Sequence, residues 1–174
     1  MPRMKPDDVA EFLAKPHIAV LATLRRDGRP YTVPVWFLDH DEAFWITGTY
    51  DRVWCQQLFH DSRASLCVEA AAPAAGHVGV DGIVTAHELP DFDIWPISRQ
   101  LVDKYIVEAQ REAFFANMST EHRLLFRLTP TVFRAIDMSV YRGKRADRDF
   151  QRRQPATDDA IANDINLAGW SRAE

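Results

Sequence analysis

The chain has 174 residues, a formal net charge of −4, two cysteines and 47% hydrophobic residues, the proportions of one ordinary globular domain. Its apolar runs fall short of the ~20 residues of a membrane span, and two cysteines make no disulfide framework. An acidic balance argues against generic nucleic-acid binding, which draws on basic charge, so a cytoplasmic protein with neither membrane nor nucleic-acid partner is expected.

In chain order, Pro6-Asp7-Asp8 ahead of Val9, Phe12 and Leu13 predicts a short helix with acid in its first turn, ended by Pro16. His17 to Arg25 and Tyr31 to Leu38 read as strands around an Asp27-Gly28 turn. The polar turn Asp39 to Glu42 leads into a third strand, Ala43 to Gly48. Two hairpins in succession indicate an antiparallel meander rather than a βαβ unit. A short helix over 51–60 precedes a fourth strand, Ala64 to Ala70, an Ala/Pro/Gly loop over 71–76, and a fifth strand, Gly79 to Leu89. Pro96 opens the longest helix, with Ile97, Leu101, Val102, Tyr105 and Ile106 at helical spacing. His122 to Leu128 and Thr131 to Asp137 read as two more strands around Thr129-Pro130. About seven strands result, and closing them into a barrel removes exposed edges.

Past Tyr141 the chain turns polar, which divides it into a barrel domain over 1–141 and a tail over 142–174. Within 142–153, Arg142, Lys144, Arg145, Arg148, Arg152 and Arg153 oppose only Asp147 and Asp149, so this stretch carries +4 and the rest of the chain −8. It reads as a solvated tail, or as a basic arm that holds an anion or crosses a partner subunit. Ala160 to Leu167 has the pattern of one short helix.

Many site types are absent from the sequence: no phosphate-binding glycine loop, no Cys-x-x-Cys, no paired-histidine metal motif and no nucleophile elbow. No metal site is expected from spacing. Cys55 and Cys67 read as packing residues. Two places invite chemistry. In Val33-Pro34-Val35-Trp36-Phe37, a proline inside a strand marks an edge or bulge with free backbone groups. Pro34 and Trp36 face one way, Val35 and Phe37 the other. In Ile46 to Arg52, a strand end enters a helix. A helix start favours phosphate, Thr47 and Thr49 add hydroxyls, Gly48 permits close approach and Arg52 adds a bidentate donor. An ordinary packed strand and an ordinary helix start account for the same residues.

These two places sit in an ordered set: Leu21 to Leu24, Asp27 to Pro30, Pro34 to Phe37, Phe44 to Gly48, Gln56 to Leu58, then Asp61 to Leu66. The set resembles the pyridoxamine 5′-phosphate oxidase-like, flavin-binding split-barrel family over roughly residues 10 to 140. The resemblance implies a mainly β fold with helices: an antiparallel six-stranded Greek-key split barrel, dimeric, with a flavin in clefts between two identical subunits. It implies that Pro34, Val35, Trp36 and Phe37 lie along the flavin ring. It implies that the strand end and helix carrying Thr47, Gly48, Thr49, Arg52, Trp54 and Gln57 hold the phosphate. FMN is the first cofactor expected, a deazaflavin the alternative and haem the weaker third.

The chain also departs from the family pattern. Trp54 stands where a phosphate-binding lysine is usual, and Val33 where the oxidase itself has an arginine. Arg25, Arg26, Arg29 or the basic tail are the candidate replacements, and Trp54→Lys is expected to tighten FMN. The function implied is an FMN- or deazaflavin-dependent oxidoreductase acting on a small, conjugated substrate by hydride or electron transfer. Its rivals are a flavin- or haem-binding module without turnover, and a haem-degrading protein. Pyridoxamine 5′-phosphate oxidase activity itself is not expected, because Asp137 to Arg142 lacks an Arg-x-His substrate grip. No catalytic residue stands out; Tyr105 reads as core and Tyr141 as a remote proton donor. Trp36, Trp45 and Trp54 fall within nineteen residues and are expected near the flavin.

Overall fold

The computed structural model describes residues 3–70 and 76–138. Tyr141, the basic segment 142–153, the expected helix over 160–167 and most of the 71–76 loop lie outside the described residues. The elements are α1 (Pro6–Ala14), β1 (Ala19–Leu24), β2 (Pro30–Val35), β3 (Leu38–His40), β4 (Ala43–Thr49), α2 (Val53–His60), β5 (Arg63–Ala70), β6 (Gly76–His87), α3 (Trp95–Tyr105), α4 (Glu108–Met118) and β7 (Arg123–Asp137).

The strands form one antiparallel sheet in the order β2-β1-β5-β6-β7-β4-β3. β2 and β3 occupy its two opposite edges, yet only Trp36 and Phe37 separate them in the chain. One bent segment therefore runs from edge to edge and curls the sheet into a split barrel whose two edge strands are consecutive in the chain. Seven strands are counted rather than the expected six because that segment breaks at its bend. Pro34 lies in the edge strand β2 and is paired only with β1, opposite Val20, where a missing N–H costs no second ladder.

Two other expectations are corrected. The strands expected on either side of Thr129-Pro130 are one long strand, β7. The register against β6 slips between Asp81 and Gly82, so Thr131 is the extra residue of a bulge and its hydroxyl donates to the Asp81 carbonyl at 3.1 Å. The chain stays paired and bends instead of turning back. A second helix, α4, follows α3, where none was expected.

The barrel interior is filled by Leu21, Phe37, Phe44, Ile46, Leu66, Val80 and Phe126, among others. A second cluster lies outside the barrel, where α3 covers β4 and β7 through Ile94, Ile97 and Leu101 against Ala43, Trp45 and Leu125. β4 is thus buried on both faces. Trp45 belongs to this second layer, its Nε1 donating to the His40 carbonyl at 2.9 Å, and it is not among the residues lining the cavity described next.

Candidate cofactor cavity

A cavity of about 410 Å3 opens where the end of β2, the β4–α2 junction, the start of β7 and the two helices α3 and α4 meet. Ile18, Pro34, Val35 and Trp36 line it from the β1–β2 side, Thr47, Arg52 and Trp54 from β4 and α2, Leu101 and Val102 from α3, Phe114 and Met118 from α4, and Arg123 from β7. Six of the ten residues singled out in the sequence are therefore brought together: Pro34, Val35, Trp36, Thr47, Arg52 and Trp54.

The other four are not among its lining residues, each for a local reason. Phe37 is fully buried in the barrel. Gly48 is small because of its neighbours. A Cβ there would sit 2.6 Å from Cys55 Sγ and 2.7 Å from the Trp54 ring, so the glycine makes room for the first turn of α2 and not for a ligand. The Thr49 hydroxyl donates to the Asp51 carboxylate. Gln57 turns to β1, its Oε1 accepting from the Thr23 hydroxyl at 2.6 Å.

Trp54 is 3% exposed. Its ring packs on Phe126, with centroids 5.1 Å apart. It forms cavity floor and barrel core at the same time, so a lysine at this position would bury an ammonium. The cost of burying that ammonium opposes the expected tightening of FMN by Trp54→Lys. Cys55 is buried, and burial pushes its thiol up to about 12, which leaves it a neutral packing group.

The bend carrying Trp36 is pinned from α3. The Tyr105 hydroxyl donates to the His17 carbonyl at 2.7 Å and accepts the Phe37 N–H at 3.2 Å. Lys104 Nζ donates to the carbonyls of Leu13 at 2.7 Å and Phe37 at 3.1 Å, and sits 3.7 Å from the centre of the Phe37 ring. Burial raises the Tyr105 phenol to about 12. Burial lowers Lys104 to about 8, with Asp39 acting against it. The Trp36 ring stacks on Tyr105, centroids 4.9 Å apart and planes 2° from parallel, and meets Phe114 on α4 at 5.7 Å. An aromatic wall thus stands on a backbone whose hydrogen bonds are satisfied.

Opposite in chemistry is the β4–β7 end. Arg52 is the N-cap residue of α2, which has no side-chain cap. Arg123 starts β7 and is paired in register with Thr49. Its side chain is 13% exposed, its Nη2 lies 2.7 Å from Glu121, and its Nε is buried without a partner among the described residues. The Asp51 carboxyl is held below the usual range, first by the Thr49 hydroxyl, with the charges of Arg52 and Arg123 adding to it. Two guanidinium groups therefore act on one small region. The Thr47 hydroxyl donates to the Leu124 carbonyl at 3.2 Å, which leaves its oxygen able to accept.

Arg123 is the charged cavity residue that sequence reasoning passed over, along with the apolar Ile18, Leu101, Val102, Phe114 and Met118. Beside Leu124, Leu125 and Phe126 it reads as an ordinary polar strand start; only the register against β4 delivers it to the cavity. The tail and Arg25, Arg26 and Arg29 were the replacements looked for. The tail lies outside the described residues, and the three arginines are not among the lining residues.

A barrel closed by a bent edge segment, with a cavity between that bend and a helix N-terminus, defines a split-barrel protein of the flavin-binding class. The family model for pyridoxamine 5′-phosphate oxidase matches residues 6–137, and the chain belongs to that family. Among solved structures it is similar to the conserved hypothetical protein Rv2991 from Mycobacterium tuberculosis, at TM-score 0.66 and 19% identity over 77% of this chain and 85% of that one. It is similar to an F420 reductase, at TM-score 0.55 and 22% identity over 71% and 93%. It is also similar to HutZ, the heme storage protein from Vibrio cholerae, at TM-score 0.58 and 18% identity over 78% and 95%. Identities at this level speak for the fold alone. No curated protein matches the chain. Among the described residues, no helix is long and apolar enough to cross a membrane, and no group of three or more His, Cys, Asp or Glu could hold a metal.

Proposed function

We propose that the cavity takes a phosphorylated flavin, FMN first and a deazaflavin such as F420 as the alternative, and that the protein is an oxidoreductase acting on a small, conjugated molecule. The observation that carries this reading is the pairing of an aromatic and aliphatic wall with two arginines in one cavity of about 410 Å3, a size ordinary for a cofactor site. A flat ring with an anionic tail has that same division. Bound there, the cofactor supplies hydride or electron transfer.

The chain's own part is binding, orientation and exclusion of water. Trp36, Phe114, Leu101 and Met118 offer apolar surface to a ring and its substrate. Arg52 and Arg123 offer forked donors to the tail. Among the described residues they are also the only ionisable ones lining the cavity, and arginine keeps its proton in proteins. The protein therefore positions reactants and does not itself move a proton from the wall. Among the described lining residues, Met118 is of a type that can ligate haem iron, so haem stays in the test below as the rival ligand.

The same reading includes a homodimer. Ile18 and Val20 are 47% and 46% exposed, on the outward side of β1, and Ile18 also lines the cavity. A second copy lying across that patch would bury both and complete one wall of the site. The test is a visible-spectrum titration of the purified protein with FMN, F420 and haem in parallel, with sedimentation to read the mass. A saturable change with FMN or F420 on a dimer is expected. No change with either flavin overturns the cofactor assignment.

A further inference from the structure

We infer that Arg123 is an anion anchor of the cavity and that Glu121 is its built-in counter-ion, displaced when the ligand's anionic end arrives. The inference rests on the reading that this cavity takes a ligand with an anionic tail, and the experiment below separates the two.

Burying a guanidinium is costly unless its donors are met. Arg123 carries five N–H donors in a planar fork, on a side chain 13% exposed. In the described structure a single carboxylate, Glu121, meets it through Nη2, and its Nε is shut away from solvent without an acceptor. Such orphaned buried donors are rare in folded proteins and call for an explanation. Asp51 receives the Thr49 hydroxyl on one oxygen and feels the charges of Arg52 and Arg123, and the Leu124 carbonyl receives the Thr47 hydroxyl, but neither accepts a hydrogen bond from the Arg123 Nε.

The contrast with Lys104, whose ammonium meets two carbonyls and a ring face, shows how this chain satisfies a cation that serves only the fold. Arg123 is left under-bonded on the wall of a cavity that also holds Arg52. α2 opens with Val53, Trp54 and Cys55, so Arg52 at its N-cap is the cation this helix start offers. A phosphate or phosphodiester entering here meets two forks from two different elements, and bidentate contact with each is the geometry that arginine favours.

Glu121 sits in the turn between α4 and β7 and is 42% exposed. Leaving Arg123 without a partner is costly, so only as an incoming anion takes over does the exposed carboxylate give way. It holds the charge of Arg123 in the free protein and competes with incoming anions. A weak monoanion gains little by displacing it, whereas a phosphate, with more charge and more acceptor oxygens, gains enough. Glu121 thereby sets a threshold that selects for the more highly charged tail.

The experiment uses the full chain as wild type, Arg123→Gln, Arg123→Lys and Glu121→Gln. Each is titrated with FMN, with riboflavin (the same ring without phosphate) and with inorganic pyrophosphate, the last read by thermal protection. Arg123→Gln is expected to weaken FMN roughly ten- to hundredfold and to leave riboflavin unchanged. Arg123→Lys recovers part of that loss, keeping the charge without the fork. Glu121→Gln tightens FMN severalfold, and pyrophosphate protects the wild type but not Arg123→Gln. Equal losses for FMN and riboflavin in Arg123→Gln overturn the inference, as does an unchanged FMN affinity in Glu121→Gln. The surface variant decides the matter if Arg123→Gln fails to fold. Flavins that bind the wild type and Arg123→Gln alike leave the flavin reading standing and remove the anchor. Pyrophosphate protection through Arg123 without flavin binding removes the flavin reading and keeps the anchor. No binding and no protection removes both.

Discussion

The bend between β2 and β3 and the paired ends of β4 and β7 each hold a half-buried cation, and the two are treated in opposite ways. At the bend, Lys104 Nζ reaches the carbonyls of Leu13 and Phe37 and lies over the Phe37 ring. Beside it the Tyr105 hydroxyl both donates and accepts on the backbone. At the β4–β7 end, Arg123 meets one exposed carboxylate and keeps a buried donor unpartnered. A cation whose donors are all met inside the chain is part of the fold. A cation left under-bonded on a cavity wall is available to something that enters. Burial alone does not separate the two cases; the accounting of hydrogen bonds does.

The largest expected effect tests whether α2 belongs to the fold or to the ligand. Trp54 is 3% exposed against Phe126, so Trp54→Lys loses a large aromatic from the core and places an ammonium there. A loss of about 4 kcal/mol or more is expected, read from urea unfolding midpoints. A stable Trp54→Lys protein with tighter FMN binding would return α2 to the ligand and remove the need for Arg123.

At the bend, Lys104→Met keeps most of the side-chain volume and deletes the ammonium. The Leu13 carbonyl then loses its donor, and a cost of about 1–3 kcal/mol is expected, measured by the same unfolding curves. The effect on a bound flavin runs through Trp36, whose backbone neighbour Phe37 is the pinned residue. A variant that melts as the wild type does would mean that the bend holds itself.

How much of this could be read from the residues differs between the same two regions. The hairpins were legible because Asp27-Gly28 and Asp39 to Glu42 carry their own turn chemistry. Gly28 does adopt a positive φ of 82°, and Asp41 and Glu42 take φ values of 53° and 55°. The Pro34 edge was legible because proline denies a donor to any second neighbour. α4 was not: over Glu108–Met118 it buries only Met118, so no apolar stripe announces it, although Glu, Ala, Gln and Arg are good helix formers. The sequence left the roles of Gly48 and Trp54 open, because a glycine at a strand end fits both a ligand cradle and a bulky neighbour. The room a Cβ at Gly48 would take from the Trp54 ring, 2.7 Å away, speaks for the bulky neighbour. Arg123 depended wholly on register, a property of the assembled sheet and not of any local window.

Alkaline pH sharpens the picture of the bend. Lys104 releases its proton at about 8 in the folded protein against 10.5 ordinarily. Between those values the unfolded chain binds more protons, so folding stability rises with pH. Tyr105 holds its proton to about 12 against 10.0 ordinarily. Between those values the folded chain binds more, so stability falls. Cys55, raised from 9.0 to about 12, lowers stability in the same way from pH 9 upward. Unfolding midpoints should therefore climb from pH 8 to about 9, level off to about 10 and decline beyond it. Lys104→Met is expected to remove the climb and Tyr105→Phe to reduce the decline, leaving the part that Cys55 carries. A climb that survives Lys104→Met would place that titration elsewhere.

The smallest effect is the one on which the comparison turns. Arg123→Met keeps the stem of the side chain, removes the ion pair with the exposed Glu121, and takes away a largely buried charge together with a donor that has no partner. Exposed pairs are worth about 0–1 kcal/mol, and deleting an orphaned donor returns some of that, so stability should change by less than about 1 kcal/mol. Set beside Lys104→Met, the same change of cation to thioether should cost clearly less stability at the cavity wall than at the bend. Parallel unfolding curves of the two variants measure the difference. If Arg123→Met proves as damaging as Lys104→Met, Arg123 is holding the β4–β7 end together and its open donor is no invitation to a ligand.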